Sequence, residues 1–113
     1  MGDEEMSQEP PVDRGLLALK HLDAAYEARK QMPDGKEQTE VVLAHATQAL
    51  RLADDDRIIK ALANLVLGGC HEQQDKWHLA YYEYVAAKEQ YTDEWTESME
   101  QALQYCRCKV FPR

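Results

Sequence analysis

The chain is poor in the features that usually give a function away. It has three cysteines among its 113 residues. An odd count, with Cys106 and Cys108 as near neighbours, does not make a secreted disulfide framework and points to a reducing compartment. No apolar run approaches the ~18 residues that span a bilayer. The opening stretch MGDEEMSQEPP holds acids and no arginine, and it lacks the apolar segment of a secretory leader. A cytoplasmic protein is therefore expected. Basic residues never run longer than two in succession, and the formal net charge is −8. Nucleic acid and anionic membrane both lack the cationic footprint they require, so neither is an expected partner.

Chemistry-bearing patterns are missing too. The phosphate-cradling loops GxxxxGK[ST] and GxGxxG do not occur, nor does a GxSxG elbow. No catalytic residue is expected, and the chain reads as a non-enzyme. Cys70-His71 and Cys106-x-Cys108 together offer four nitrogen and sulfur donors. Cys-x-Cys is tighter than zinc spacing allows, and on a helix its two thiols point about 200° apart. The expected state is a buried Cys70, a buried Cys106 and a partly exposed Cys108, with no metal and no cofactor. His21, His45, His71 and His78 share no spacing that makes a site, and surface positions are expected for them.

What is present is helical periodicity. Residues 1–11 carry four acids and no base, which is half of the net charge, and end in Pro10-Pro11. They read as a flexible acidic tail ahead of one domain over 12–113. Asp13 is placed to cap a first helix with Leu16, Leu19, Leu22 and Tyr26 at spacings of three and four. MPDGKE (32–37) breaks the pattern, and Thr39 is the expected cap of a second helix striped by Val42, Ala46, Ala49, Leu50 and Ala53. The DDD at 54–56 stops that helix and caps a third, apolar on two faces, from about Arg57. EQQDK (72–76) turns the chain into a fourth helix bearing Trp77, Ala80, Tyr81, Tyr84, Ala87 and Tyr91. TDE (92–94) is the expected cap for a fifth, striped by Trp95, Met99, Ala102, Leu103 and Cys106. Five helices with short connections and no period-two run make an all-α array of antiparallel neighbours.

Read in register, 64–92 resembles a tetratricopeptide repeat, a helical hairpin of about 34 residues. Leu67-Gly68 stands at the family's Leu-Gly, Trp77 at the ring that opens the second helix, Ala80 and Ala87 at its small positions, and Tyr84 at its aromatic. Asn64, His71, Asp75 and Thr92 depart from the signature Trp, Tyr, Gly and Pro. A fainter copy runs through HLDAAYEA (21–28) and ATQALRLADDD (46–56). The resemblance implies a right-handed hairpin array with a capping helix from Trp95. It implies that Gly68 and Ala80 form the close contact of the hairpin, with Trp77 and Tyr84 filling the wedge toward the next repeat. It says nothing of Gly69, which would admit a neighbour or loosen the helix.

By the same resemblance the protein is expected to be a non-catalytic adaptor or scaffold that binds another protein. The groove face would include Leu62, Leu65, Gly69, Glu72 and Gln73. Apolar at one end and acidic at the other, this groove would suit an amphipathic or basic segment. It lacks the basic residues with which one subclass of the family grips a C-terminal carboxylate. Two other readings stand beside this one: a small acidic chaperone for an aggregation-prone client, and a self-associating bundle. Two repeats and a cap are few for a solenoid, which favours a homodimer or folding against a partner.

Overall fold

The computed structural model describes residues 13–31, 36–91 and 93–112. The expected tail at 1–11, and most of the first connector, lie outside them. The described chain is all-α: α1 (Arg14–Gln31), α2 (Lys36–Leu52), α3 (Arg57–Gln73), α4 (Trp77–Gln90) and α5 (Glu97–Val110). No strand occurs among the described residues.

Three of the five helix starts have a side-chain cap. Asp13 Oδ1 accepts from the Leu16 amide at 3.0 Å, and Asp56 Oδ1 accepts from the Ile59 amide at 3.0 Å, so both carboxylates satisfy an orphan helix donor. Thr96 Oγ1 accepts from the Met99 amide at 3.2 Å, while the Met99 sulfur faces the Thr96 amide at 3.5 Å. The turns before α3 and α4 each place an aspartate in the left-handed region, Asp54 at φ 52° and Asp75 at φ 59°. Aspartate tolerates that region better than most side chains, which explains how Asp75 stands where the resembled family has glycine.

Packing follows chain order, α1 on α2, α2 on α3, α3 on α4 and α4 on α5, with a further contact between α1 and α3. Two hydrophobic clusters result. The first joins α1, α2 and α3 through Ala18, Leu22, Ala25, Ala28, Val42, Ala46, Ala49, Ile59, Ala63, Val66, Leu67 and Cys70. The second joins α4 and α5 through Ala80, Tyr84, Leu103 and Cys106, with Leu65, Trp77, Tyr81, Val85 and Trp95 packed against it.

Two expected boundaries need correction. α2 begins at Lys36, so Thr39 lies inside the helix, buried, with its hydroxyl donating to Gln73 Oε1 at 3.2 Å. α5 begins at Glu97 and takes Thr96 as its cap, leaving Trp95 outside the helix. Thr39 is held by its bond to α3, and Trp95 by packing on the second cluster and a bond forward to Glu100.

Candidate functional site

The α3–α4 hairpin is built around the step from Gly68 to Gly69. Gly68 is buried, and a Cβ there would stand 2.8 Å from Tyr84 Cε1. The residue therefore makes room for the Tyr84 ring. Ala80 and Ala87 are themselves fully buried on α4. Gly69 is only half-buried. A Cβ on it would lie 3.5 Å from Arg29 Nη1, so the guanidinium of α1 rests over the bare backbone of α3 at ordinary contact distance.

The residues expected to line the groove stand half-open on α3. Leu62 packs against the first cluster and Leu65 against the second. Glu72 is a structural acceptor. The Tyr84 hydroxyl donates to its Oε1 at 2.8 Å, and the Cys106 sulfur lies 3.6 Å from the same oxygen. Gln73 is exposed and lines a recess of about 220 Å³ with Thr39, Glu40 and Gln74. This stripe is thus a seam where α3 meets α1, α4 and α5. Its acid is already engaged by Tyr84.

The two buried thiols, Cys70 and Cys106, are held in their protonated form. Burial pushes Cys70 up to about 11. Burial, then the charge of Glu72 and its hydrogen bond, pushes Cys106 up to about 12. A protonated thiol is a poor nucleophile and a poor ligand. Cys108 is exposed. Burial first, and then the bond to Glu72, also raises the Tyr84 phenol.

His78 is exposed, but the other three histidines are not the isolated surface residues expected. His21 of α1 and His45 of α2 meet Nδ1 to Nδ1 at 2.9 Å. His71 Nδ1 lies 2.7 Å from Glu83 Oε1, both side chains being mostly buried. That approach lacks the alignment of a hydrogen bond, and Glu83 Oε2 is buried without a partner among the described residues. Burial lowers His71, raises Glu83 to about 7, and so favours the neutral form of each.

The most exposed apolar surface lies elsewhere, where the start of α4 meets the end of α5. Trp77 and Tyr105 pack edge to face with centroids 5.7 Å apart, and Tyr81 and Phe111 do the same at 5.8 Å. Tyr82 leans on Tyr81 at 5.5 Å. Lys109 Nζ sits 5.5 Å from the Trp77 ring centre and 5.4 Å from that of Tyr105. Tyr82, Phe111 and Tyr105 are 61%, 57% and 52% exposed. Sequence periodicity isolates Tyr82 as off the buried stripe. It does not signal the face, because the residues come from two helices whose antiparallel pairing decides who meets.

Chemically, these surfaces can bind; no described trio of His, Cys, Asp or Glu is gathered to hold a metal ion. Among the described residues, no helix is long and apolar enough to cross a membrane. Comparisons with family models, with curated proteins and with solved structures return no match.

Proposed function

We propose that this chain is a non-catalytic protein-interaction module of tetratricopeptide-like design, acting as an adaptor or scaffold subunit. The observation that carries the reading is the aromatic face on α4 and α5. Five of the nine aromatic residues crowd there, and three of them are more than half exposed. Burial of one such ring side chain is worth about 1.5–3 kcal/mol, so leaving three open on a small domain is costly unless a partner covers them. Tyrosine and tryptophan are also the residues that dominate binding energy at protein interfaces. The half-open α3 stripe of Leu62, Leu65 and Gly69 forms a second, more polar surface for an amphipathic or basic segment.

The test combines affinity capture from native extract with the double variant Tyr82→Ser, Phe111→Ser. Both rings are exposed, so helicity should be unchanged while the captured partner is lost. A partner retained at wild-type level by a folded double variant would remove this face from the function. Light scattering over a hundredfold concentration range separates a foreign partner from a second copy. A mass that stays at 13.0 kDa favours the former, and a dimer that the double variant abolishes makes self-association the function.

A further inference from the structure

The pole where α4 begins and α5 ends is a basic spot on an acidic chain. The protein holds 21 acids against 13 bases. The two segments that build the aromatic face, 76–82 and 101–112, hold Lys76, Arg107 and Lys109 and no acid. All three cations are exposed, and none is in an ion pair among the described residues. Arg14 and Lys88, by contrast, reach Asp54 and Glu100. Lys109 lies instead against the Trp77 and Tyr105 rings, which steady its ammonium without neutralising it. Of the nearest acids in sequence, Glu83 is mostly buried against His71, and Asp75 stands on the turn before Lys76. α4 also opens on Lys76 with no side-chain cap and no acid in its first turn, so its free amides add positive potential at the same edge.

We propose that this face receives an acidic segment of another protein, an inference that rests on reading the face as the interaction surface. Carboxylates of the segment would stand against Lys76 and Lys109, and its large apolar side chains among Tyr82, Tyr105 and Phe111. The rings supply the apolar contact, and the cations choose the partner, because charge complementarity acts on specificity and on-rate more than on affinity. A basic segment would meet like charge here and find a better match on the α3 stripe. The two surfaces would thus sort partners by sign. The net charge of −8 does not prevent this. At physiological salt the screening length is about 8 Å, so a short docked segment feels the local cations more than the whole chain.

The probe is a fluorescein-labelled peptide of glutamate, leucine and phenylalanine, with a counterpart carrying lysine for glutamate. Fluorescence polarisation should show the acidic peptide binding more tightly than the basic one, and more weakly as salt rises. The double variant Lys76→Glu, Lys109→Glu should weaken the acidic peptide about tenfold. Lys20→Glu, Arg57→Glu makes the same change in net charge at exposed positions on α1 and α3 and should leave binding unchanged. Tyr82→Ser, Phe111→Ser should weaken both peptides. Equal or tighter binding of the basic peptide, lost in Tyr82→Ser, Phe111→Ser, would overturn the inference and leave the face as the interaction surface. Acidic-peptide binding that this variant does not weaken would overturn both. An absence of binding up to millimolar acidic peptide would overturn the inference, as would phosphatidylserine vesicles that bind the chain more tightly than the peptide does. A dimer that the acidic peptide dissolves would give the face to a second copy and not to another protein.

Discussion

The two hydrophobic clusters solve the same problem with opposite materials. The first is made mostly of alanine, seven of its thirteen buried members, and it closes by bringing helices near one another. The second has four buried members and closes with rings that reach the surface. Its polar atoms are tied instead. Glu100 accepts from Lys88 Nζ at 2.6 Å, Trp95 Nε1 at 2.8 Å and Gln104 Nε2 at 2.8 Å, and these donors hold its carboxyl down at about 2. A close-packed cluster of small side chains has little slack. A ring-built cluster with polar fasteners leaves rings open at the surface. The close-packed end and the end with open rings are therefore separate.

If that division is right, the first cluster should be the less forgiving. Leu22 is one of its few large side chains and is 2% exposed. Leu22→Ala should cost about 2–5 kcal/mol, the range for a leucine cavity that alanine neighbours cannot collapse to fill. Trp77→Ala, at a half-buried position in the second cluster, should cost less. A urea midpoint for each variant decides it, and equal losses would mean the two clusters are one cooperative core.

The fastener between the halves comes next in size. Tyr84→Phe keeps the ring against Gly68 and removes the hydroxyl that donates to Glu72. With Glu72 half-exposed, the expected loss is about 1–2 kcal/mol. Calorimetric melting should show it without a change in helicity.

A similar magnitude attaches to pH. The folded state holds the Glu83 proton more tightly than the unfolded chain does, because burial raises the carboxyl from 4.5 to about 7. Stability should therefore fall as pH rises across that window and be flat above it. His71 acts in reverse. Its folded form resists protonation, so stability should fall again as pH drops below 6.5. Glu83→Gln should abolish only the first slope, leaving the variant about 1–2 kcal/mol more stable than wild type above pH 7. Guanidinium titrations at several pH values would show whether the slope disappears.

Helix count and class were legible because they depend on local spacing and caps: Asp13 and Asp56 act where a reader would put them. Thr39 misled because it looks like a helix start and is held by a distant partner instead, Gln73, while Trp95 bonds forward to Glu100 in the first turn of α5 and stays outside the helix. The His21–His45 contact had no local signature at all. The residues are 24 positions apart, and only the antiparallel register of two alanine-faced helices joins them. Glu72 was visible as a groove acid but not as the acceptor for Tyr84, for the same reason.

The adjacent glycines give the smallest and sharpest comparison, since they sit side by side on α3 and face different halves. Either one costs about 1 kcal/mol of helix propensity relative to alanine. At Gly69 an added methyl meets Arg29 at ordinary contact distance, 3.5 Å from Nη1. Gly69→Ala should thus recover most of that and stabilise by about 0.5–1 kcal/mol. At Gly68 the methyl would stand 2.8 Å from the Tyr84 ring. That ring is 6% exposed and pinned by its bond to Glu72, so it cannot swing aside freely. Overpacking of this kind costs about 1–3 kcal/mol. Set against the propensity gain, Gly68→Ala should destabilise by about 1 kcal/mol, opposite in sign to its neighbour. The ring is the stated cause, so a double-mutant cycle can isolate it: in a Tyr84→Leu background Gly68→Ala should turn neutral or stabilising. If it stays destabilising there, Gly68 serves the approach of the two helix backbones and not the ring.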